Sequence, residues 1–388
     1  MTVVHTGLDR LAAGELNSRI RNRNVGLVAH PASVTQGYVH AKDVLLAQGA
    51  KIAALFGPEH GYGGEAQDMI GVQNSRDLDT SAPIHSLYGD SFESLSPKRE
   101  WLDGLDALVI DLQDVGARYY TFVWTAVLCA RVCSTLGIET IVLDRPNPLG
   151  GLVVEGAPQL DAHLSFVGLR SVPVRHGLTI GELVLDAARQ ERLDGVSVIE
   201  MHGWNRSMLY RDTGCAWVLP SPNMPTPETA LVYPGGCLLE ATNVSEGRGT
   251  TRPFELFGAP FVNAPALAKE MQQQAGTGCV VRATTARPTF HKWAQQTVGA
   301  VQVHVTDAHA FRSYRAYLAA LIHLRKYSEF SWRTETYEFV NDVPAMDLLT
   351  GDSRVRLAID DGATIEDVLA IGADRLSHFN AGSRWIYP

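Results

Sequence analysis

Short apolar runs alternate with amphipathic stretches through the first half of the chain. Val25-Gly-Leu-Val-Ala29, Lys51 to Phe56, Ile84 to Tyr88, Ala107-Leu-Val-Ile-Asp111, Glu139 to Asp144 and Val196 to Glu200 each read as a buried strand ended by polar or turn residues. Helices are predicted from Ala41 to Gln48, from about Phe122 to Leu136 and from Thr179 to Arg192. In the last, Thr179 is the expected N-cap and Glu182 completes a capping box. Strands joined by helical crossovers predict a mostly parallel sheet. The outline is Rossmann-like, yet no GxGxxG follows the first strand, which disfavours a dinucleotide site.

The pattern changes after about residue 214. Leu219-Pro-Ser-Pro-Asn-Met-Pro-Thr-Pro227 carries four prolines in nine residues and cannot be a regular element. It reads as an ordered loop lining a cleft. Gly, Asn, Thr and Pro then dominate up to Pro260, with helices expected at 264–274 and 309–326 and strands near 279–283 and 298–305. The expected fold class is therefore α/β: a Rossmann-like, mostly parallel sheet domain (1–228) followed by a smaller α+β C-terminal domain (229–388) that closes the cleft. A length of 388 residues agrees with two cores rather than one.

Charge and cysteine usage narrow the function. A net charge of −9 without runs of like charge argues against nucleic acid as a partner. No apolar run reaches the length of a membrane span, and Met1 to Arg10 lacks the basic and apolar stretches of a secretory signal. The expectation is a cytoplasmic protein without a membrane partner. Five cysteines without a CxxC pair predict neither disulfides nor structural zinc. No cofactor is expected, and the oligomeric state is not legible.

Candidate chemistry gathers where apolar strands break. Leu55-Phe-Gly-Pro-Glu-His-Gly61 places Glu59 and His60 at the carboxyl end of a strand, where open α/β sheets bind ligands. Asp111, Gln113, Asp114, Arg118, Tyr119 and Tyr120 leave the next long strand, and Asp144, Arg145 and Asn147 leave another. Glu65, Glu155, His176 and Asn223 add further polar groups. Ionised groups at such places are costly unless paired or wet, so they mark either an ion-pair network or a solvated cleft. Carboxylates, amides and tyrosines suit a hydroxyl-rich ligand, and arginine forks suit an anionic group. Glu59, His60, Asp111, Asp114 and His176 could instead converge on a metal, but no HExxH or related spacing supports it. Besides an enzyme acting on a hydroxyl-rich substrate, a non-catalytic sugar-binding protein and a metal-dependent hydrolase fit these residues.

These blocks resemble the exo-β-N-acetylmuramidases of the NamZ type. The resemblance lies in Leu55–Gly61 with Gly64-Glu65, Asp111–Thr121, Leu143–Gly151, Glu155-Gly156 and Arg175–Glu182. It continues through Pro220–Pro225, Tyr233-Pro-Gly235, Thr242–Ser245 and Gly247–Thr250, in the same order. It implies a cleft between two domains and release of N-acetylmuramic acid from the non-reducing end of peptidoglycan fragments. The substrate would be a muramic-acid-containing disaccharide or muropeptide, met in cell-wall recycling. Under this reading Glu59 is the general acid. Asp114 is the leading second group, ahead of Glu65, Asp111 and Glu240, with Tyr119 or Tyr120 able to orient an acetamido group. Arg118 and Arg248 are assigned the lactyl carboxylate, and Asn243 joins the substrate-binding set.

Overall fold

The computed structural model describes residues 3–67, 75–379 and 381–388. The first domain contains α1 (Gly7–Ala12), β1 (Asn24–Val28), α2 (Ala41–Ala47), β2 (Lys51–Gly57), β3 (Ser75–Arg76) and β4 (Pro83–Ser86). It continues with β5 (Ala107–Ile110), α3 (Phe122–Leu136), β6 (Glu139–Leu143), α4 (Ile180–Glu191) and β7 (Val196–Ile199). The sheet runs β3-β4-β2-β1-β5-β6-β7, and every pairing is parallel except that of β3 with β4. Without β3, this is the doubly wound strand order of dinucleotide-binding folds.

Side-chain alternation explains why the strands read as unbroken apolar runs. Leu27, Val109 and Ile141 face Leu8, Leu11 and Leu45 of α1 and α2 on one side. Val28, Ile110 and Val142 face the opposite core, shared with α3 and α4. Sheets covered on both faces need apolar residues at every position. The expected capping box at Thr179 and Glu182 is present.

The second domain comprises α5 (Pro227–Gly236), β8 (Leu256–Ala259), α6 (Ala264–Gln274), β9 (Cys279–Ala286), β10 (Val298–Val305) and α7 (Ser313–Leu324). Four short helices follow: α8 (Ala345–Thr350), α9 (Ser353–Asp360), α10 (Ile365–Ala370) and α11 (Ala373–His378). Its antiparallel sheet is ordered β8-β10-β9. Two elements depart from the sequence reading, since α5 and β8 lie where irregular chain was expected. Pro227 occupies the first turn of α5, where a missing N–H costs nothing, and Thr226 caps it. Gly235 lets α5 cross α7 closely, because a Cβ there would meet the Ser313 carbonyl at 2.2 Å.

The end of the chain returns to the first domain. Tyr387 donates its hydroxyl to Asp144 Oδ2 at 2.6 Å, and the Ile386 amide reaches Glu182.

Candidate active site

The turn after β2 is shaped by Gly57. A Cβ at this position would lie 2.1 Å from the Tyr62 amide, so the chain folds back directly over the strand end. His60 takes a left-handed conformation (φ 72°), and its Nδ1 donates to the Ala66 carbonyl at 2.8 Å. Glu59 is thereby turned inward, where the Thr121 hydroxyl donates to Oε2 at 2.8 Å from the start of α3.

Glu59 and His60 line a narrow cavity of about 40 Å³ at the junction of the two domains. Tyr119, Tyr120, Thr121 and Phe122 form one wall, extended by Val167, Ser221, Asn223 and Met224. Tyr233, Glu240, Arg248, Phe254, Tyr337 and Glu338 form the wall contributed by the second domain. Tyr233 meets Tyr119, Tyr120 and Phe254 edge-on, which holds the aromatic wall rigid. Burial pushes the hydroxyls of Tyr119, Tyr120, Tyr233 and Tyr337 well above their ordinary value of 10, so they stay neutral.

Two further carboxylates line the second wall. Glu240 accepts from Arg248 at 2.8 Å and from the Tyr337 hydroxyl at 2.8 Å. Glu338 accepts from the Tyr88 hydroxyl at 3.1 Å. Behind them Arg248 Nε lies 3.2 Å from Glu246, which also meets Lys292 at 2.9 Å and His291 at 3.1 Å. Burial by itself would raise the Glu246 carboxyl, but Lys292, His291 and Arg248 outweigh it and hold the group well below the usual carboxylate range.

Comparison with known proteins assigns this arrangement to a family. Residues 25–228 match the family model described as exo-beta-N-acetylmuramidase NamZ, N-terminal, and residues 231–387 match its C-terminal counterpart. The chain belongs to the NamZ exo-β-N-acetylmuramidase family. It is 37% identical over 379 residues to the peptidoglycan beta-N-acetylmuramidase NamZ of Bacillus subtilis (strain 168), covering 97% of this chain and 89% of that protein. Two crystal structures of DUF1343 family proteins from Bacteroides fragilis share the fold. One has a TM-score of 0.87 at 28% identity over the whole of both chains. The other has a TM-score of 0.74 at 25% identity over 99% of each.

Within this family member, the cavity collects Glu59, His60, Tyr119, Asn223, Glu240 and Arg248 from the residues expected at the site. Tyr119 is anchored through its hydroxyl to the Pro234 carbonyl, and Asn223 donates to Gln67 at 2.8 Å. The remaining expected residues lie elsewhere. Arg118 is fully buried and donates to the carbonyls of Ala157, Val172 and Leu349, so it is spent on backbone and does not reach the cavity. Asp114 accepts from the Gly116 amide at 2.8 Å and lies 3.5 Å from His176, outside the cavity lining. His176 is fully buried and accepts the Leu178 amide.

The other strand-end groups form scaffolding. Asp111 is clamped by Arg145 at 2.5 and 2.7 Å. Gln113 donates to the carbonyls of Asp114 and Pro146, while its amide donates to His30. His30 in turn donates to the Pro220 carbonyl, and burial draws its imidazole down to about 3. These contacts lie just beyond the carboxyl ends of β1 and β5, the strands between which a doubly wound sheet reverses its order. Asp144 accepts from Thr179, Gly181, Arg145 and Tyr387, yet burial still drives it up to about 7. Asn147 bridges Leu149 and Leu178, and Glu155 pairs with Arg175 at 3.1 Å and caps the Tyr314 amide. Asn243 is bonded to Glu329 and Ser331, and Glu65 is exposed outside the cavity lining.

Several lining residues escaped the sequence reading. Tyr233 belongs to one of the family-like blocks, but nothing in its local pattern marks it as a cavity residue. Val167, Phe254, Tyr337 and Glu338 lie in stretches without any motif to flag them. Among the described residues no three His, Cys, Asp or Glu side chains gather as a metal ion would require.

Proposed function

We propose that this chain hydrolyses the β-1,4 bond linking a non-reducing-end N-acetylmuramic acid to the rest of a peptidoglycan fragment. The observation that carries this reading is the tyrosine-walled cavity shared by Glu59, Glu240 and Glu338, where two segments of one glycosidase family meet. Neutral tyrosines and Asn223 supply donors and acceptors for sugar hydroxyls, while the ring surfaces suit C–H faces.

Glycoside hydrolysis commonly uses two carboxyl groups around an oxocarbenium-like transition state. Glu59 is assigned the general acid, protonating the glycosidic oxygen as its bond to the anomeric carbon breaks, with Thr121 fixing the carboxyl. The opposite role passes from Asp114 to Glu240 or Glu338, as base for water or as the group that orients the acetamido oxygen. Arg248 is assigned the lactyl carboxylate, being the sole guanidinium among the described residues of the cavity lining. A disaccharide or muropeptide is the favoured substrate.

Assay with a chromogenic β-N-acetylmuraminide and the matching β-N-acetylglucosaminide tests this reading. Release from the muraminide alone is expected, and preference for the glucosaminide overturns it. Glu59→Gln should lower kcat by about 100-fold or more, the usual share of acid–base catalysis. A loss below about tenfold removes Glu59 from that role.

A further inference from the structure

Asn223 lines two depressions, the cavity around Glu59 and a wider, more open one of about 600 Å³ beside it. The second is bordered by Thr250, Thr251, Thr285, Arg287, Thr289 and Phe290. Its chemistry is hydroxyl-rich, with one guanidinium and one aromatic ring. Most of it comes from the loop 249–251, which continues directly from Arg248 of the cavity wall, and from the end of β9 with the loop that follows, while Gln67, Pro222 and Leu256 complete the border.

These loops are locked together at Gly249. This residue has φ 77°, and a Cβ on it would come within 2.7 Å of the Phe290 backbone. Thr289 donates to the Gly249 carbonyl from both its amide and its hydroxyl, each at 2.9 Å. Phe290 thus stands on fixed backbone with 39% of its surface exposed. Arg287 is steadied by donating Nε to the Gln295 carbonyl at 3.0 Å, and its Nη donors have no hydrogen-bond partner among the described residues. An exposed ring on a held backbone and a guanidinium with its Nη donors turned to solvent offer a ligand a stacking surface and a charge-paired contact.

We infer that this depression is the leaving-group side of the active site. It receives the sugar that follows the scissile bond and the next anionic unit of the fragment. Phe290 stacks on a sugar face, the threonine hydroxyls bond ring substituents, and Arg287 pairs with a carboxylate carried by the lactyl or peptide substituent. An enzyme that removes terminal residues can enclose the departing sugar but must let the remaining polymer run outward. A narrow cavity leading past Asn223 to a broad open groove has that shape. The inference rests on the muramidase reading above.

The experiment compares kcat/KM for two substrates, a chromogenic aryl β-muraminide and a muropeptide chain with at least two sugars beyond the scissile bond. In Phe290→Ala and Arg287→Ala the ratio of chain to aryl activity should fall about tenfold, mainly through KM for the chain. An unchanged ratio in both variants, whether both activities hold or both fall together, overturns the groove. A wild-type enzyme that cleaves the aryl muraminide but not the chain also overturns it. Inactivity on both substrates would sink the muramidase reading instead.

Discussion

A carboxylate at the end of a strand carries no mark that separates scaffold from site. Asp111 and Asp144 are completely buried, and Glu155 is as buried as Glu59, at 7% exposure. The first three are bonded to partners away from the cavity, whereas Glu59, held by the Thr121 hydroxyl, borders it. Glu246 shows how strongly partners can outweigh burial. Its folded-state carboxyl lies below the ordinary 4.5, so the stability it contributes is complete above that pH and is lost as pH falls through the folded value. Glu246→Gln should lower Tm at neutral pH by the equivalent of about 3–5 kcal/mol, the cost of breaking a buried ion pair. The gap between variant and wild type should narrow as pH drops below 4.5 in thermal melts. A gap that stays constant to about pH 3 would mean that packing, not charge, explains the loss.

Elements differ in how openly the sequence announces them. The parallel strands were legible because each is an unbroken apolar run between turn residues, and α3 and α4 carry clear boundaries. α5 was not, since Pro234 lies inside it, the prolines before it mask the Thr226-Pro227 start, and burial on nearly all sides erases any polar stripe. β8 spans only Leu256–Ala259, too short for a period to register, and α8, α10 and α11 are each six residues long. The turn after β2 is the element on which the site depends most. Gly57→Ala forces the 58–62 backbone away from the strand end, so both Tm and kcat/KM should fall. Overpacking of this kind costs about 1–3 kcal/mol. Activity measured on the folded fraction should drop further than the stability loss explains, because Glu59 moves with the turn. Full activity in the folded fraction would show that the turn tolerates the shift.

At the scale of the molecule, polar groups tie the halves together where the sequence suggested ligand contacts. Arg118 reaches from the segment after β5 to the Leu349 carbonyl of α8, and burial without a carboxylate partner draws its guanidinium down to about 10. Arg118→Met strands three carbonyls, so Tm should fall by the equivalent of about 2–4 kcal/mol. KM for a muraminide should hardly move in the protein that remains folded. A raised KM with normal Tm would return Arg118 to the substrate.

What the chain alone determined was local: an α/β sheet, its strand ends, and blocks similar to a glycosidase family. Burial periodicity and turn chemistry are written within a few neighbouring residues, so they survive reading in one dimension. Only the folded molecule decided which polar groups became internal struts and which came to border one cavity. Glu59, Glu240 and Glu338 stand far apart along the chain, and their meeting depends on how two domains pack. That long-range geometry sets the partner of every buried charge, and no local pattern encodes it.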